Sequence, residues 1–181
     1  AEDRGKGLFK ERQEDGYDAI MTNEKDVVLV GFSADCVLIY FYDKVKNAIA
    51  IAHSGWRGTV LGIGGKVVKR MKEEFGSNPE DIVCGIAPAI GVDHFQVDIP
   101  VVTAFRQAYD WADKFIYPDE NMAERWFIDL HSINEEILVN EGIKRENIEN
   151  SRICTQCDPD RFFSHRVMGA KRGTLAGFMS L

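Results

Sequence analysis

A mixed α/β (α+β) domain, with mixed β-sheets and flanking helices, is the fold class this sequence predicts. Three observations carry that reading. Apolar, β-branched runs follow one another over residues 26–32, 36–42 and 48–53. A helical period of apolar residues follows at once over 59–75, and strand-like and helix-like stretches alternate through the remainder. At 181 residues the length favours one domain, spanning 1–181, large enough to bury roughly two-thirds of its unfolded surface.

Taken in order, residues 1–17 are charged and glycine-containing and read as a polar loop or edge. The runs 26–32, 36–42 and 48–53 are rich in Val, Ile and aromatic residues and read as strands. Over 59–75 the residues Val60, Ile63, Val67, Val68 and Met71 share one helical face. Lys66, Lys69, Arg70, Lys72 and Glu73 fall mostly elsewhere, and Gly76 suits a C-terminal cap. Ser77-Asn78-Pro79 is a loop, and 81–86 a buried strand that ends in a turn around Pro88 and Gly91. Helices are expected over 100–114 and 129–140, the second ended by Gly142, and short strands over 151–155 and 175–181. No internal repeat, low-complexity tract or linker is visible.

Composition narrows the function classes. A formal charge of −7 speaks against nucleic acid or an anionic membrane as a general partner. No apolar stretch is long enough to cross a bilayer, and no secretory leader is read. Four cysteines without a dense framework point to a reducing, cytoplasmic setting with free or metal-bound thiols. The first residue is Ala1, so the chain is expected to be processed or a piece of a larger fold.

Two stretches carry chemistry: Ser33-Ala34-Asp35-Cys36 and His53-Ser54-Gly55-Trp56-Arg57-Gly58. Cys36 opens one strand and His53 closes the next, with the turn-like Asp43-Lys44-Val45-Lys46-Asn47 between them. An antiparallel hairpin brings both to the same end of a sheet. A thiol and an imidazole meeting there suit metal binding or a nucleophile–base pair. A soft thiolate with imidazole favours zinc, although two ligands do not complete a site. Each residue taken singly is as readily structural, Cys36 as a small buried hydrophobe. The Gly-rich turn leading from His53 into a helix can take an anion, with Arg57 as a planar charge; an ordinary turn with a solvated arginine is the alternative.

The other candidates are weaker. Cys154-Thr155-Gln156-Cys157 is a lone C-x-x-C without a second pair, and reads as structural or incidental. His94 lies in a Gly-containing loop, His131 near a helix start with a capping or surface role, and Cys84 in an apolar strand as core. Phe162-Phe163-Ser164-His165-Arg166 either stacks a base or binds an anion, or forms a core strand; the strand is the expectation.

Together these pieces resemble the laccase-domain or polyphenol oxidase family, also called YfiH-like, whose activity is purine nucleoside phosphorolysis and related nucleoside chemistry. The matching stretches are Tyr17-Asp18-Ala19-Ile20-Met21-Thr22, the Cys36 and His53 motifs, Ile86-Ala87-Pro88-Ala89-Ile90-Gly91, Cys154-Thr155, Phe162–Arg166 and Gly173. The resemblance implies a YfiH-like fold and identifies Cys36 and His53 with two of three residues of a zinc-binding catalytic centre. The third is a histidine upstream of the Asp18 motif. No histidine precedes His53 here, so the chain is expected to lack the family's N-terminal segment. His94 stands where a cysteine is common, and Thr174 where an arginine is common.

Four functions compete on this basis. The first is zinc-dependent purine nucleoside phosphorolysis, with adenosine deamination on the same centre. There Cys36 and His53 are catalytic and metal-holding, while Arg57, Gly58 and Arg166 bind nucleoside and phosphate. The second is copper-dependent phenol oxidation, which needs paired imidazoles; the four histidines are widely separated and form no His-x-His. A Cys-His hydrolase with Cys36 as nucleophile and a non-catalytic interaction domain complete the set. The oligomeric state is not legible.

Overall fold

The hairpin around Asp43–Asn47 lies at the centre of the structure. In the computed structural model, which describes residues 16–181, strand β3 (Val37–Asp43) pairs antiparallel with β4 (Ala48–Ser54), Leu38 opposite His53 and Asp43 opposite Ala48. Strand β1 (Ala19–Thr22) adds to the free side of β4, and β5 (Ile82–Ile86) to that of β3. The parallel β9 (Ile148–Asn150) closes a five-stranded mixed sheet of order β1-β4-β3-β5-β9. The polar loop expected over 1–17 falls almost wholly outside the described residues.

Both faces of this sheet are covered, which explains why β4 reads as an unbroken apolar run. Toward one face point Val37, Ile39, Phe41, Ala48, Ala50 and Ala52, packed against Val67, Val68 and Met71 of helix α2 (Ile63–Phe75) and Ile133, Ile137 and Leu138 of α4 (Leu130–Asn140). Burying each large side chain there contributes roughly 1.5–3 kcal/mol. The opposite face presents Leu38, Ile49 and Ile51 to Leu29 of β2 (Val28–Ser33). That strand forms a separate two-stranded sheet with β10 (Leu175–Ser180), Gly31 opposite Gly177. A Cβ at Gly177 would overlap the Tyr40 hydroxyl, so the paired glycines let the two sheets approach. A third small sheet joins β6 (Gln96–Asp98), β7 (Ile116–Pro118) and β8 (Arg125–Ile128).

Several expectations are corrected. The helix over 59–75 is two helices, α1 (Trp56–Val60) and α2, separated at Leu61-Gly62. Gly62 takes a left-handed φ of 68°, which re-aims the chain at little steric cost. The helix over 100–114 stops at Ala108 (α3, Ile99–Ala108), and a 3₁₀ turn over Ala112–Phe115 follows. The strand over 151–155 moves upstream to β9, with a single bridge at Ala89–Cys154. The segment expected as a core strand at Phe162–Arg166 is a turn entering helix α5 (His165–Met168), and Phe163 is exposed. Asp129 rather than His131 caps α4; His131 is buried, its Nδ1 2.9 Å from the Asn150 Oδ1. Cys84 is core as expected, and burial pushes its thiol pKa up. Among the described residues no helix is long and apolar enough to cross a membrane.

Met71 has no exposed surface and fills the gap between α2 and the small Ala48-Ala50-Ala52 row. Met71→Ala is expected to cost about 2–5 kcal/mol, read from the urea midpoint at an unchanged slope.

Candidate active site

His53 lies at the end of β4, opposite Leu38 on β3, and Cys36 stands two residues before Leu38 on the same strand face. The hairpin therefore brings the two together as the sequence predicts. A Cβ added at Gly55 would sit 3.0 Å from Cys36 Sγ and 3.7 Å from His53 Nε2, so both groups crowd one backbone position that tolerates no side chain. The other ring nitrogen, Nδ1, lies 2.9 Å from Asp18 Oδ1. Asp18 immediately precedes β1, and its carbonyl accepts the His53 N–H at 2.7 Å. Contact with Cys36 is the largest influence on His53; the Asp18 carboxylate adds to it against partial burial, and the imidazole pKa rises from 6.5 to about 9. The role of Asp18 was not read from the sequence. No strand is read over residues 19–22 from the sequence, and nothing local reveals that this segment joins β4.

The turn beyond His53 is held from within. Ser54 Oγ donates to Asn134 Oδ1 at 2.7 Å, and Asn134 Nδ2 donates to Thr59 Oγ1 at 3.2 Å and to the Leu130 carbonyl at 2.8 Å. Tyr109 donates its hydroxyl to the Thr59 carbonyl at 2.6 Å, and burial pushes its pKa to about 12, which keeps it a donor. Ser54, Thr59 and Asn134 are fully buried. Such a satisfied network fixes a single geometry, because any unmade bond would strand a buried polar group.

Asp35 performs the same task on the Cys36 side. It is buried and left-handed, with φ of 76°. Its carboxylate accepts from Thr155 Oγ1 at 2.6 Å, Ser164 Oγ at 3.0 Å and the Arg166 backbone N–H at 2.7 Å. Two late loops are thereby docked beside Cys36.

A cleft of about 590 Å³ opens here, lined by Cys36 and Asp35, by the rings of Trp56 and Phe95, and by Arg125, Arg166 and Arg172. Arg166 donates to the Gln96 carbonyl at 3.2 and 3.3 Å, and its guanidinium lies 5.8 Å from the centre of the Phe95 ring. Of the expected residues, Cys36 and Arg166 line the cleft, while His53, Arg57 and Gly58 do not. Arg57 is exposed and stacks over Trp56, 4.4 Å from the ring centre. At Gly58 a Cβ would come within 3.2 Å of the His53 carbonyl, a packing constraint on the turn.

A second cluster, whose C-x-x-C reads from the sequence as structural or incidental, forms where that turn meets the His94 loop. His94 Nδ1 lies 3.4 Å from Cys154 Sγ and 3.7 Å from Cys157 Sγ, and the Gly91 N–H donates to Cys154 Sγ at 3.2 Å. Contact with Cys154 holds the Cys157 thiol above its ordinary pKa. His94 lies 60 residues before Cys154, so only the tertiary fold reveals the group.

Residues 4–181 match the sequence pattern of the family described as multi-copper polyphenol oxidoreductase laccase. The chain belongs to this family. It is 38% identical over 180 residues to the purine nucleoside phosphorylase YlmD of Bacillus subtilis, covering 99% of this chain and 64% of that protein. It is 33% identical over 175 residues to adenosine deaminase RL5 from an unknown prokaryotic organism, covering 95% of this chain and 66% of RL5. Among solved structures, YfiH of Bacillus licheniformis superposes with a TM-score of 0.86 at 37% identity, over 91% of this chain and 61% of YfiH. The chain thus spans less than two-thirds of the length of these relatives, and the YfiH-like α+β architecture of this laccase family is its fold.

Two outcomes follow from the site's electrostatics. In the metal-free chain His53 binds its proton more tightly folded than unfolded, so the associated stability is full below about pH 6.5 and is lost as pH rises through about 9. Chemical denaturation from pH 6 to 10 should show this slope, and His53→Gln should flatten it. Asp35→Asn replaces a triple acceptor with a group whose amide faces donors. At about 1.5–3 kcal/mol per bond to a charged group, a loss of about 3 kcal/mol is expected, measured by urea titration.

Proposed function

We propose that this cleft processes purine nucleosides, by phosphorolysis in the first place, with a zinc ion held by Cys36 and His53. The observation that carries the reading is the Cys36–His53–Asp18 array beside a cleft that holds both aromatic rings and arginines. The donor chemistry fits zinc: a thiol and an imidazole nitrogen, with the second ring nitrogen tied to a carboxylate, which fixes tautomer and ring orientation. A four-coordinate site needs a further protein donor. Among the described residues no third His, Cys, Asp or Glu ligand atom lies close enough to both Cys36 and His53 to complete a group of three, and Asp18 is engaged by the far ring nitrogen. The resemblance assigns that donor to a histidine upstream of the Asp18 motif, and no histidine precedes His53 in these 181 residues. When bound, zinc supplies Lewis-acid polarisation of a substrate oxygen or water.

The chain's own residues divide the rest of the work. Trp56 and Phe95 offer ring faces on which a purine can stack. Arg166, with Arg125 and Arg172, holds phosphate against the sugar; planar guanidinium groups match its oxygens in pairs. Arg57, stacked on the far partner ring, sets the pose of the Trp56 indole, and Gly58 keeps the turn close to His53. In phosphorolysis a phosphate oxygen forms a bond to the anomeric carbon while the bond to the purine nitrogen breaks. The electron pair leaves with the base, which then takes a proton. With the nitrogen facing Cys36 reserved for the metal, that proton comes from water in the cleft, while the Asp18 carboxylate holds the other ring nitrogen and orients the imidazole. Small-molecule nucleoside and phosphate are therefore the partners, in a cytoplasmic setting.

Deamination of adenosine is the second reading, favoured by the resemblance to RL5 and served by the same array. Copper-dependent phenol oxidation fits less well, because the four imidazoles are not paired: His53 contacts Asp18, His94 Cys154, His131 Asn150 and His165 Arg172. A Cys-His hydrolase would use the same Cys36–His53 pair, and an acyl group trapped on Cys36 would be its mark.

Chromatography of adenosine, inosine and guanosine incubated with the full-length protein, with and without phosphate, tests the proposal. Phosphate-dependent release of free base is expected. His53→Ala should lower turnover about 10²–10⁴-fold with an unchanged melting profile. Arg166→Ala should raise the KM for phosphate more than it lowers kcat. Full activity in His53→Ala would refute the assignment.

A further inference from the structure

We infer that His94, Cys154 and Cys157 form a second metal site, a structural one that takes a zinc-class divalent cation and is separate from the Cys36–His53 centre.

Distances support it first. Tetrahedral zinc with Zn–S of about 2.3 Å and Zn–N of about 2.0–2.1 Å sets its sulfur and nitrogen ligands about 3.6 Å apart. The two observed separations, 3.4 and 3.7 Å, bracket that value. All three ligand atoms lie within 4.8 Å of one another, and among the described residues this is the one group of three that does so. The two-residue spacing of Cys154 and Cys157 is that of a structural zinc pair, and soft sulfur with imidazole selects zinc over magnesium or calcium.

The surroundings are built for it as well. The Gly91 N–H points at Cys154 Sγ, a bond that steadies a thiolate. Any Cβ at Gly91 would meet the Cys154 Cβ at 3.0 Å, so glycine is what lets this backbone reach the sulfur. Cys157 is exposed, which leaves the fourth position to solvent.

Its consequence lies in what the turn between the cysteines holds. Thr155 is the residue whose hydroxyl binds Asp35, and its N–H donates to the Ala89 carbonyl at 3.0 Å. A cation bridging His94 to the C-x-x-C turn therefore fastens that turn where it supports Asp35, and through Asp35 the loop carrying Arg166. The site needs neither Cys36 nor His53, so it stands apart from the proposed nucleoside chemistry.

The test uses the full chain carrying Cys36→Ser and His53→Gln, stripped of metal and titrated with zinc against a chromophoric chelator. Stoichiometric zinc is expected. Adding Cys157→Ser or His94→Asn should weaken binding by more than the roughly 10–100-fold that loss of an outer-shell partner costs. Cobalt(II) in place of zinc should give an intense sulfur-to-metal charge-transfer band that Cys157→Ser roughly halves at saturating cobalt. X-ray absorption on the Cys36→Ser, His53→Gln chain loaded with one equivalent of zinc gives a second reading free of the other centre, with a shell of two sulfurs at about 2.3 Å expected. No zinc uptake beyond that of the Cys157→Ser form, a one-sulfur shell, or a Cys154–Cys157 disulfide in protein freshly isolated under reducing conditions would each overturn the inference.

Discussion

The Asp35 carboxylate is the constraint on which the site depends. A buried acid without a cationic partner is costly unless hydrogen bonds replace its lost water. Here Thr155, Ser164 and the Arg166 backbone supply those bonds from residues 120 to 131 positions away in the chain. Because Asp35 adjoins Cys36, meeting the acid's needs also sets the wall of the cleft around the thiol. Neither the loop at Thr155 nor helix α5 has an apolar core of its own large enough to fix it. Their position is a by-product of solvating one charge.

His53 is secured by different means, and the contrast is informative. Its backbone is locked by sheet pairing to β3 and by the buried Ser54–Asn134–Thr59 network, while its ring is held between Cys36 and Asp18. The rigid part lies beneath the ring and the tunable part at its tip, where exposure is greatest. A group whose proton is held by a thiol on one side and a carboxylate on the other can exchange that proton for a metal ion without moving the strand that carries it.

What the sequence made legible follows from the range of the interactions. The β3–β4 hairpin, the α2 face and the meeting of Cys36 with His53 are local or periodic facts, encoded within about twenty residues of each other. Tertiary closure decided the remainder. Asp18 gained a role when β1 joined β4 rather than another edge. The C-x-x-C came within reach of His94 where residue 89 bridges to 154. Phe162–Arg166 lost its strand character because Asp35 takes the Arg166 N–H and Ser164 caps the following turn. Arg57 looked like the anion site because it follows a Gly-rich turn, but the Trp56 ring claims its guanidinium.

One chain of contacts joins these parts. His94 precedes Phe95, whose ring lines the cleft and lies beneath Arg166, and Arg166 is anchored through Asp35 to the turn that carries Cys154 and Cys157. The circuit closes on itself: loop 91–95, the C-x-x-C turn, Asp35, Arg166 and back to Phe95. A closed circuit has fewer soft modes than two independent loops, since displacing one member must break a hydrogen bond to a buried carboxylate or part the sulfurs from His94. The cleft's cationic wall is thus positioned by polar contacts, whereas the Cys36–His53 pair is positioned by sheet register. Displacing the C-x-x-C turn should then shift Arg166 far more than the alignment of Cys36 with His53.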